Sequence, residues 1–154
     1  MPTVLEDVMF GPKNFGFSIE EAEQNAIEAL QKVKMLDYAE KPPHHLSFGQ
    51  KRKVAIASVL ASKPELLVLD EPSSNLDPAS RRELVEILKN LDISLILVTH
   101  DIPMALEICK RSIILNGGKI TTDDETYMIL KDRNTMEENR LELPFGFALH
   151  HLDE

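Results

Sequence analysis

A chain of 154 residues with 43% apolar and 28% charged side chains is long enough to bury one respectable core, and its composition is that of an ordinary globular protein rather than a disordered or fibrous one. Its formal charge of −9 argues against an extended nucleic-acid surface, because phosphate binding is driven by clustered Lys and Arg with release of counterions. Cys109 is the single cysteine, which excludes an internal disulfide and a Cys-based metal cluster and fits a reducing compartment such as the cytoplasm.

Taken in chain order, Thr3 to Phe17 mixes apolar residues with Gly11, Pro12 and Gly16, which predicts a short helical turn over Leu5 to Phe10 and then a loop. Ser18-Ile19-Glu20-Glu21 fits a capping box, and Ala22, Ala26, Leu30 and Val33 recur at helical spacing, so a helix is expected from about Ile19 to Leu36. Pro42 and Pro43 forbid its continuation. Ser47 with Gln50 three residues on is a second capping box, opening a helix that runs through Val54 to Ala61.

Leu66 to Leu69 and Leu95 to Val98 are continuous apolar runs, the expected signature of strands buried on two faces. Between them Asp77 can cap, and Pro78 can open, a helix with a stripe of Leu84, Val85, Leu88 and Leu91. The result is a βαβ unit and hence a parallel sheet. Asp101 and Pro103 open a short helix to about Cys109, Ser112 to Leu115 is a third strand, and Gly117-Gly118 turns the chain into a hairpin partner around Lys119 to Thr121. Residues 123–154 are polar and predict one or two small helices and a tail. The apolar runs are well short of the roughly 20 residues of a membrane helix. No signal segment opens the chain, which is therefore expected not to span a membrane.

Asp70 and Glu71 end the first apolar strand, at the sheet edge where open parallel sheets bind ligands. A carboxylate pair there is costly unless it holds a cation or handles a proton, although an isolated Asp-Glu pair after a strand is more often a cap and a solvated acid. His100 follows the second strand, where an imidazole can exchange a hydrogen bond at neutral pH; a lone histidine there is usually structural. The helix start at Ser47 offers free N–H groups and the positive end of a dipole to an anion, with Gly49 allowing close backbone approach; alone it is simply a cap.

In combination these segments resemble the ATP-binding-cassette (ABC) ATPases. Leu46-Ser47-Phe48-Gly49-Gln50 is similar to the family signature, Leu66 to Glu71 to its Walker B strand and catalytic glutamate, Ser74-Asn75-Leu76-Asp77 to its D-loop, and His100 to its switch histidine. Thr3 to Val8 with Phe10-Gly11-Pro12, the Pro42-Pro43-His44-His45 lead-in and Leu141-Glu142-Leu143-Pro144 resemble the ATPases of cobalt, nickel and vitamin importers of the energy-coupling-factor type. The resemblance implies an incomplete P-loop NTPase domain of α/β class, a mostly parallel sheet flanked by helices. Residues 1–46 would be part of the helical subdomain, 47–122 the signature helix and RecA-like core, and 123–154 a C-terminal helical tail.

The resemblance also implies roles. Asp70 would engage Mg²⁺ directly or through water, Glu71 would orient or deprotonate the attacking water, and His100 would contact the terminal phosphate of ATP. Ser74 and Asp77 would couple two sites across a dimer of cassettes. Ser47, Phe48, Gly49 and Gln50 would serve the ATP of the opposite subunit. Phe48 stands where a glycine is commoner in the family, leaving open whether it packs against the helical region or narrows the approach to nucleotide. The implied partners are a second ABC ATPase subunit and integral membrane transport subunits, with the chain peripheral on the inner face of the cell membrane and no nucleic acid bound.

None of the six glycines belongs to a GxxxxGK[ST] pattern, so the loop that cradles phosphates is absent from these residues, and the family's Q-loop would lie upstream of Thr3. Without that strand and helix, one side of the parallel sheet is expected to be exposed, with self-association as a consequence. A non-catalytic accessory cassette, lending its signature to a complete partner, is the competing reading. A soluble ABC ATPase acting on DNA or ribosomes would call for a coiled-coil insertion or basic arms; Lys51-Arg52-Lys53 reads instead as the solvated face of the signature helix. The scattered methionines and the adjacent pairs His44-His45 and His150-His151 lack the i,i+4 spacing of common zinc sites and receive no ligand role. Alone, the chain is predicted to bind ATP very weakly and to show no meaningful hydrolysis. Turnover by rigorously purified protein that Glu71→Gln abolishes would overturn this.

Overall fold

The computed structural model describes residues 3–142, and its contacts divide the chain into two units, Met1–Ile96 and Leu97–Glu154. The first unit opens with helix α1, Val4–Asn14, longer than the expected turn over Leu5 to Phe10. Two features fix its start. Thr3 and Glu6 form a capping box, with the Glu6 N–H donating to Thr3 Oγ1 at 3.2 Å and the Thr3 N–H donating to Glu6 Oε2 at 2.8 Å. The next free N–H groups, of Val4 and Leu5, donate to the carbonyls of Lys41 and Ala39, each at 2.9 Å. Pro12 lies inside the helix and lacks the N–H that would continue its ladder, and the helix ends two residues later. Gly11 has a packing role, since a Cβ there would stand 2.9 Å from Ser62 Oγ and 3.2 Å from the Ser58 carbonyl.

Helix α2, Ile19–Lys32, starts at the predicted Ser18–Glu21 capping box but ends before the expected Leu36. A Schellman turn stops it. Lys34 takes φ 58°, the Met35 N–H donates to the Leu30 carbonyl at 2.8 Å, and the Lys34 N–H donates to the Gln31 carbonyl at 3.0 Å. Val33 and Met35 lie past the helix's last residue and are nonetheless fully buried. Short 3₁₀ turns at Leu36–Tyr38 and Pro43–His45 lead to helix α3, Phe48–Leu60. Strand β1, Leu66–Asp70, helix α4, Pro78–Lys89, and strand β2, Ser94–Val98, then follow in the predicted order, with β1 and β2 hydrogen-bonded neighbours in a two-stranded sheet. Helices α1, α2 and α3 pack on one another, burying Val8, Ala26, Leu30, Val54 and Ala57.

The strands depart from the expectation of burial on both faces. Leu67 is 2% exposed, whereas Leu66 and Val68 on either side of it are 46% and 57% exposed, and Ile96 is 49% exposed. Alternation along β1 and β2 therefore has the form of a sheet covered on one face only among the described residues, which agrees with the anticipated open side.

The second unit contains helix α5, Ile102–Ile108, strands β3, Arg111–Asn116, and β4, Lys119–Glu125, and helices α6, Thr126–Lys131, and α7, Arg133–Glu138. Strands β3 and β4 are antiparallel around Gly117 and Gly118, whose φ values of 57° and 75° suit a two-residue hairpin turn. The β4 strand runs past the expected Thr121 because its acidic end is paired. Asp123 accepts two hydrogen bonds from the Arg111 guanidinium, each 2.7 Å. Ile114, Ile129, Leu130 and Met136 form the core of this unit, with Ile102, Leu106 and Leu141 packed against it. Leu143, Pro144 and the His150-His151 pair lie outside the described residues. Among those described, no helix is long and apolar enough to cross a membrane. Leu30 is fully buried, so Leu30→Ala is expected to cost about 2–5 kcal/mol in urea-induced unfolding.

Candidate functional site

Three short segments of the first unit carry the residues singled out above, apart from His100. At the start of α3, the Ser47 N–H donates to Gln50 Oε1 at 2.9 Å, and the Gln50 N–H donates to Ser47 Oγ at 3.3 Å. Both side chains are thus held in the reciprocal cap that fixes the helix start. Phe48 is 52% exposed, so it is not packed into the helical region; the Arg52 guanidinium lies 5.5 Å from its ring centre. Lys53 forms a 3.0 Å ion pair with Glu83 of α4 and is only 12% exposed. Of the three basic residues read as one solvated face, only Lys51 is exposed, and Arg52 and Lys53 are partly buried.

Gly49 makes a contact that the sequence pattern did not indicate. A Cβ at this position would stand 2.9 Å from Ser80 Oγ and 3.2 Å from Ser80 Cβ. The close approach that glycine permits is therefore to the first turn of α4. There Asp77 caps the helix, its Oδ1 accepting from the N–H groups of Ala79 at 2.9 Å and Ser80 at 3.0 Å, and its Oδ2 accepting from Ser80 Oγ at 2.5 Å. These hydrogen bonds, that from the Ser80 hydroxyl first, hold the Asp77 carboxyl below the usual aspartate range. Ser80 consequently touches both the signature segment and the capping aspartate. A small residue three positions after an N-cap is too common a pattern to have revealed this.

Asp70 is the exposed last residue of β1. Glu71 follows with φ 45°, and Asn75 with φ 61°, so the chain twice enters the left-handed region between the strand and α4. The Ser74 N–H donates to the Glu71 carbonyl and the Leu76 N–H to the Ser73 carbonyl, each at 3.2 Å, which folds the segment into consecutive turns. Left-handed backbone at non-glycine residues costs free energy and collects at functional sites. Pro72, inside the first of these turns, is fully buried.

His100 belongs to the second unit and is exposed. Its carbonyl accepts from the Ile102 N–H at 3.0 Å, and the following Asp101 caps α5 by accepting from the Met104 N–H at 3.0 Å. The Asp101 N–H in turn donates to Thr99 Oγ1 at 2.9 Å. The backbone around His100 is thus held on both sides by its neighbours.

A family model described as "AAA domain, putative AbiEii toxin, Type IV TA system" matches residues 8–107. A "Putative ABC transporter ATP-binding protein" of Streptomyces avermitilis is 58% identical over 96% of this chain and 56% of the relative. The "Energy-coupling factor transporter ATP-binding protein EcfA" of Methanosphaera stadtmanae is 44% identical over 99% of this chain and 56% of the relative. Among solved structures, CbiO1 of Clostridium perfringens, described as part of the ABC transporter complex CbiONQ, matches with a TM-score of 0.78 at 32% identity, covering 97% of this chain and 61% of that one. The chain belongs to the ATP-binding proteins of ABC transporters. It spans a little over half the length of these curated relatives.

As an ABC ATPase domain of α/β class, the chain comes from a family that binds ATP with Mg²⁺. The donor set at Asp70 and Glu71 fits a hard cation, since Mg²⁺ takes one or two carboxylates and completes its shell with water and substrate phosphates. Among the described residues no group of three or more His, Cys, Asp or Glu is arranged to hold a metal by itself. The carboxylates would therefore contribute only part of such a shell.

The contact between Gly49 and Ser80 can be tested by a double-mutant cycle. Gly49→Ala is expected to destabilise the chain by about 1–3 kcal/mol through overpacking. Combining it with Ser80→Gly is expected to give a destabilisation smaller than the sum of the two single changes by at least about 0.5 kcal/mol in chemical denaturation.

Proposed function

We propose that the chain supplies the signature segment and the hydrolytic carboxylate of an ATP-hydrolysing subunit of an ABC importer for cobalt, nickel or a vitamin. The observation that carries this is Glu71, a carboxylate one residue past the end of a strand and held on left-handed backbone, in a unit that also builds the capped signature helix. Likeness to EcfA and CbiO1 supports the importer class. In this reading Asp70 helps to hold Mg²⁺ and Glu71 orients or deprotonates the attacking water. His100 contacts the terminal phosphate. The N-terminus of α3, with Ser47, Phe48, Gly49 and Gln50, faces the ATP of a second ATPase subunit, and the N–H groups left free by its cap stabilise charge on the transferring phosphoryl group. Ser74 and Asp77 lie at the junction of the two subunits. Integral membrane subunits receive the closing motion, and the assembly sits on the inner face of the cell membrane.

The competing reading is an accessory cassette that lends only its signature helix to a complete partner. One pair of experiments separates them. A chimera in which the unaligned part of the Streptomyces avermitilis relative is joined ahead of Thr3 is expected to hydrolyse ATP. Glu71→Gln should lower its turnover by about 10²-fold or more. A chimera that folds but does not turn over, while the unmodified chain accelerates a complete EcfA and Ser47→Ala alone removes that effect, would support the accessory reading instead.

A further inference from the structure

Gly49 of the signature segment faces the residues around Asp77. A Cβ on it would meet Ser80 Oγ at 2.9 Å, Ser80 Cβ at 3.2 Å and Leu76 Cδ2 at 3.8 Å, so the Ser80 hydroxyl occupies the room that the missing side chain leaves. That hydroxyl is held from its other side, where it donates to Asp77 Oδ2 at 2.5 Å. An N-cap aspartate closes its helix by accepting from the N–H groups of the second and third helical residues, and Asp77 does this with Oδ1 alone, toward Ala79 and Ser80. The bond to Oδ2 is additional to the cap. It ties the carboxylate to the one side chain that is seated against Gly49. One turn further along, the Lys53–Glu83 ion pair of 3.0 Å joins the same two helices, with the lysine only 12% exposed. The starts of α3 and α4 are thus linked at two places, and the link through Ser80 is the one that includes Asp77.

We propose that Ser80 is a positioning residue that makes Asp77 and the start of α3 one mechanical unit, its hydroxyl carrying the placement of the Asp77 carboxylate to the backbone at Gly49 and Gln50 of the same chain. When the carboxylate is drawn toward a second subunit, the hydroxyl is released and the signature start loses the group seated against it. The bearing of this link on turnover rests on the reading of Asp77 and Ser47–Gln50 as parts that meet a second ATPase subunit; the link itself does not. The 154-residue chain tests it without nucleotide. The N–H groups of Gln50 and Lys51 close the first turn of α3 on Ser47, so their hydrogen exchange reports its opening, while exchange at Leu30 in the core reports global unfolding. Taken relative to Leu30, exchange at Gln50 and Lys51 is expected to quicken about threefold or more with Asp77→Asn, and by less than about 1.5-fold when Asp77→Asn is added to Ser80→Ala. Ser80→Ala keeps the Cβ, so a residue needed only for packing would leave the response to Asp77→Asn the same in both backgrounds. In the chimera carrying the unaligned part of the Streptomyces avermitilis relative, Ser80→Ala should lower kcat about threefold or more and leave KM for ATP within about twofold, because it alters how the signature is presented and not the grip on nucleotide. A parent chimera without turnover defeats the reading of the chain as part of an ATPase, and the exchange rates still decide the link. The proposal is overturned if Asp77→Asn leaves Gln50 and Lys51 unaltered, if it acts equally in both backgrounds, or if an active chimera turns over equally well with Ser80→Ala.

Discussion

The contact between the backbone at Gly49 and the side chain of Ser80 fixes the spacing of the helix starts on which the candidate site is built. Helices α3 and α4 begin with their N-termini close enough that a single methyl group would not fit between them, and the 3.0 Å Lys53–Glu83 ion pair joins the same two helices further along. Each start is capped by its own residue, Ser47 for one and Asp77 for the other, so their positions depend on local hydrogen bonds as well as on the core. At the start of α4 the donors are already used, since Pro78 has no N–H and those of Ala79 and Ser80 donate to Asp77.

The segment between β1 and α4 has a different origin of order. Its two left-handed residues, Glu71 and Asn75, are not glycines, and the turns they occupy are closed by hydrogen bonds from the Ser74 and Leu76 backbone. Buried Pro72 anchors the loop. The conformational cost is of order 1–3 kcal/mol at each such residue and is sustained by the strand before it and the capped helix after it. The backbone that carries the Glu71 carboxylate is thereby more constrained than an open loop would be.

Elements marked by side-chain chemistry were readable from the sequence. Ser18 with Glu21, Ser47 with Gln50, and Asp77 with Pro78 each specify a helix start within one turn, and the Gly117-Gly118 dipeptide specifies the hairpin. The misread boundaries depend on partners remote in the chain or on unusual residues. The first helix is held at its start by carbonyls of Ala39 and Lys41, some 35 residues away, and the second is stopped by a lysine in a conformation usually reserved for glycine. At the candidate site, the residue types and their order were legible in Ser47–Gln50, Asp70–Glu71 and Asp77, whereas the role of Ser80 was not, because it arises from the crossing of two helices. Burial of the strands on both faces was inferred from apolar runs alone, and such runs record the environment a strand is made for rather than the covering supplied by these residues.

The two units differ in how far along the chain their contacts reach. In the second, β3 pairs with β4 through a two-residue turn, and α6 and α7 follow at once to close the core around Ile114, so nearly every contact joins residues within one short stretch. The loop-closure entropy lost in forming it is small, and contacts of this kind form fast. In the first unit, α1 is tied to Lys41 and packs against α3, and β1 meets β2 only after α4 has been traversed. Its ordering must await the joining of distant parts of the chain. On refolding of the whole chain, the hairpin end is therefore expected to form early, and the half that carries α3 and the two carboxylates to reach its native arrangement more slowly.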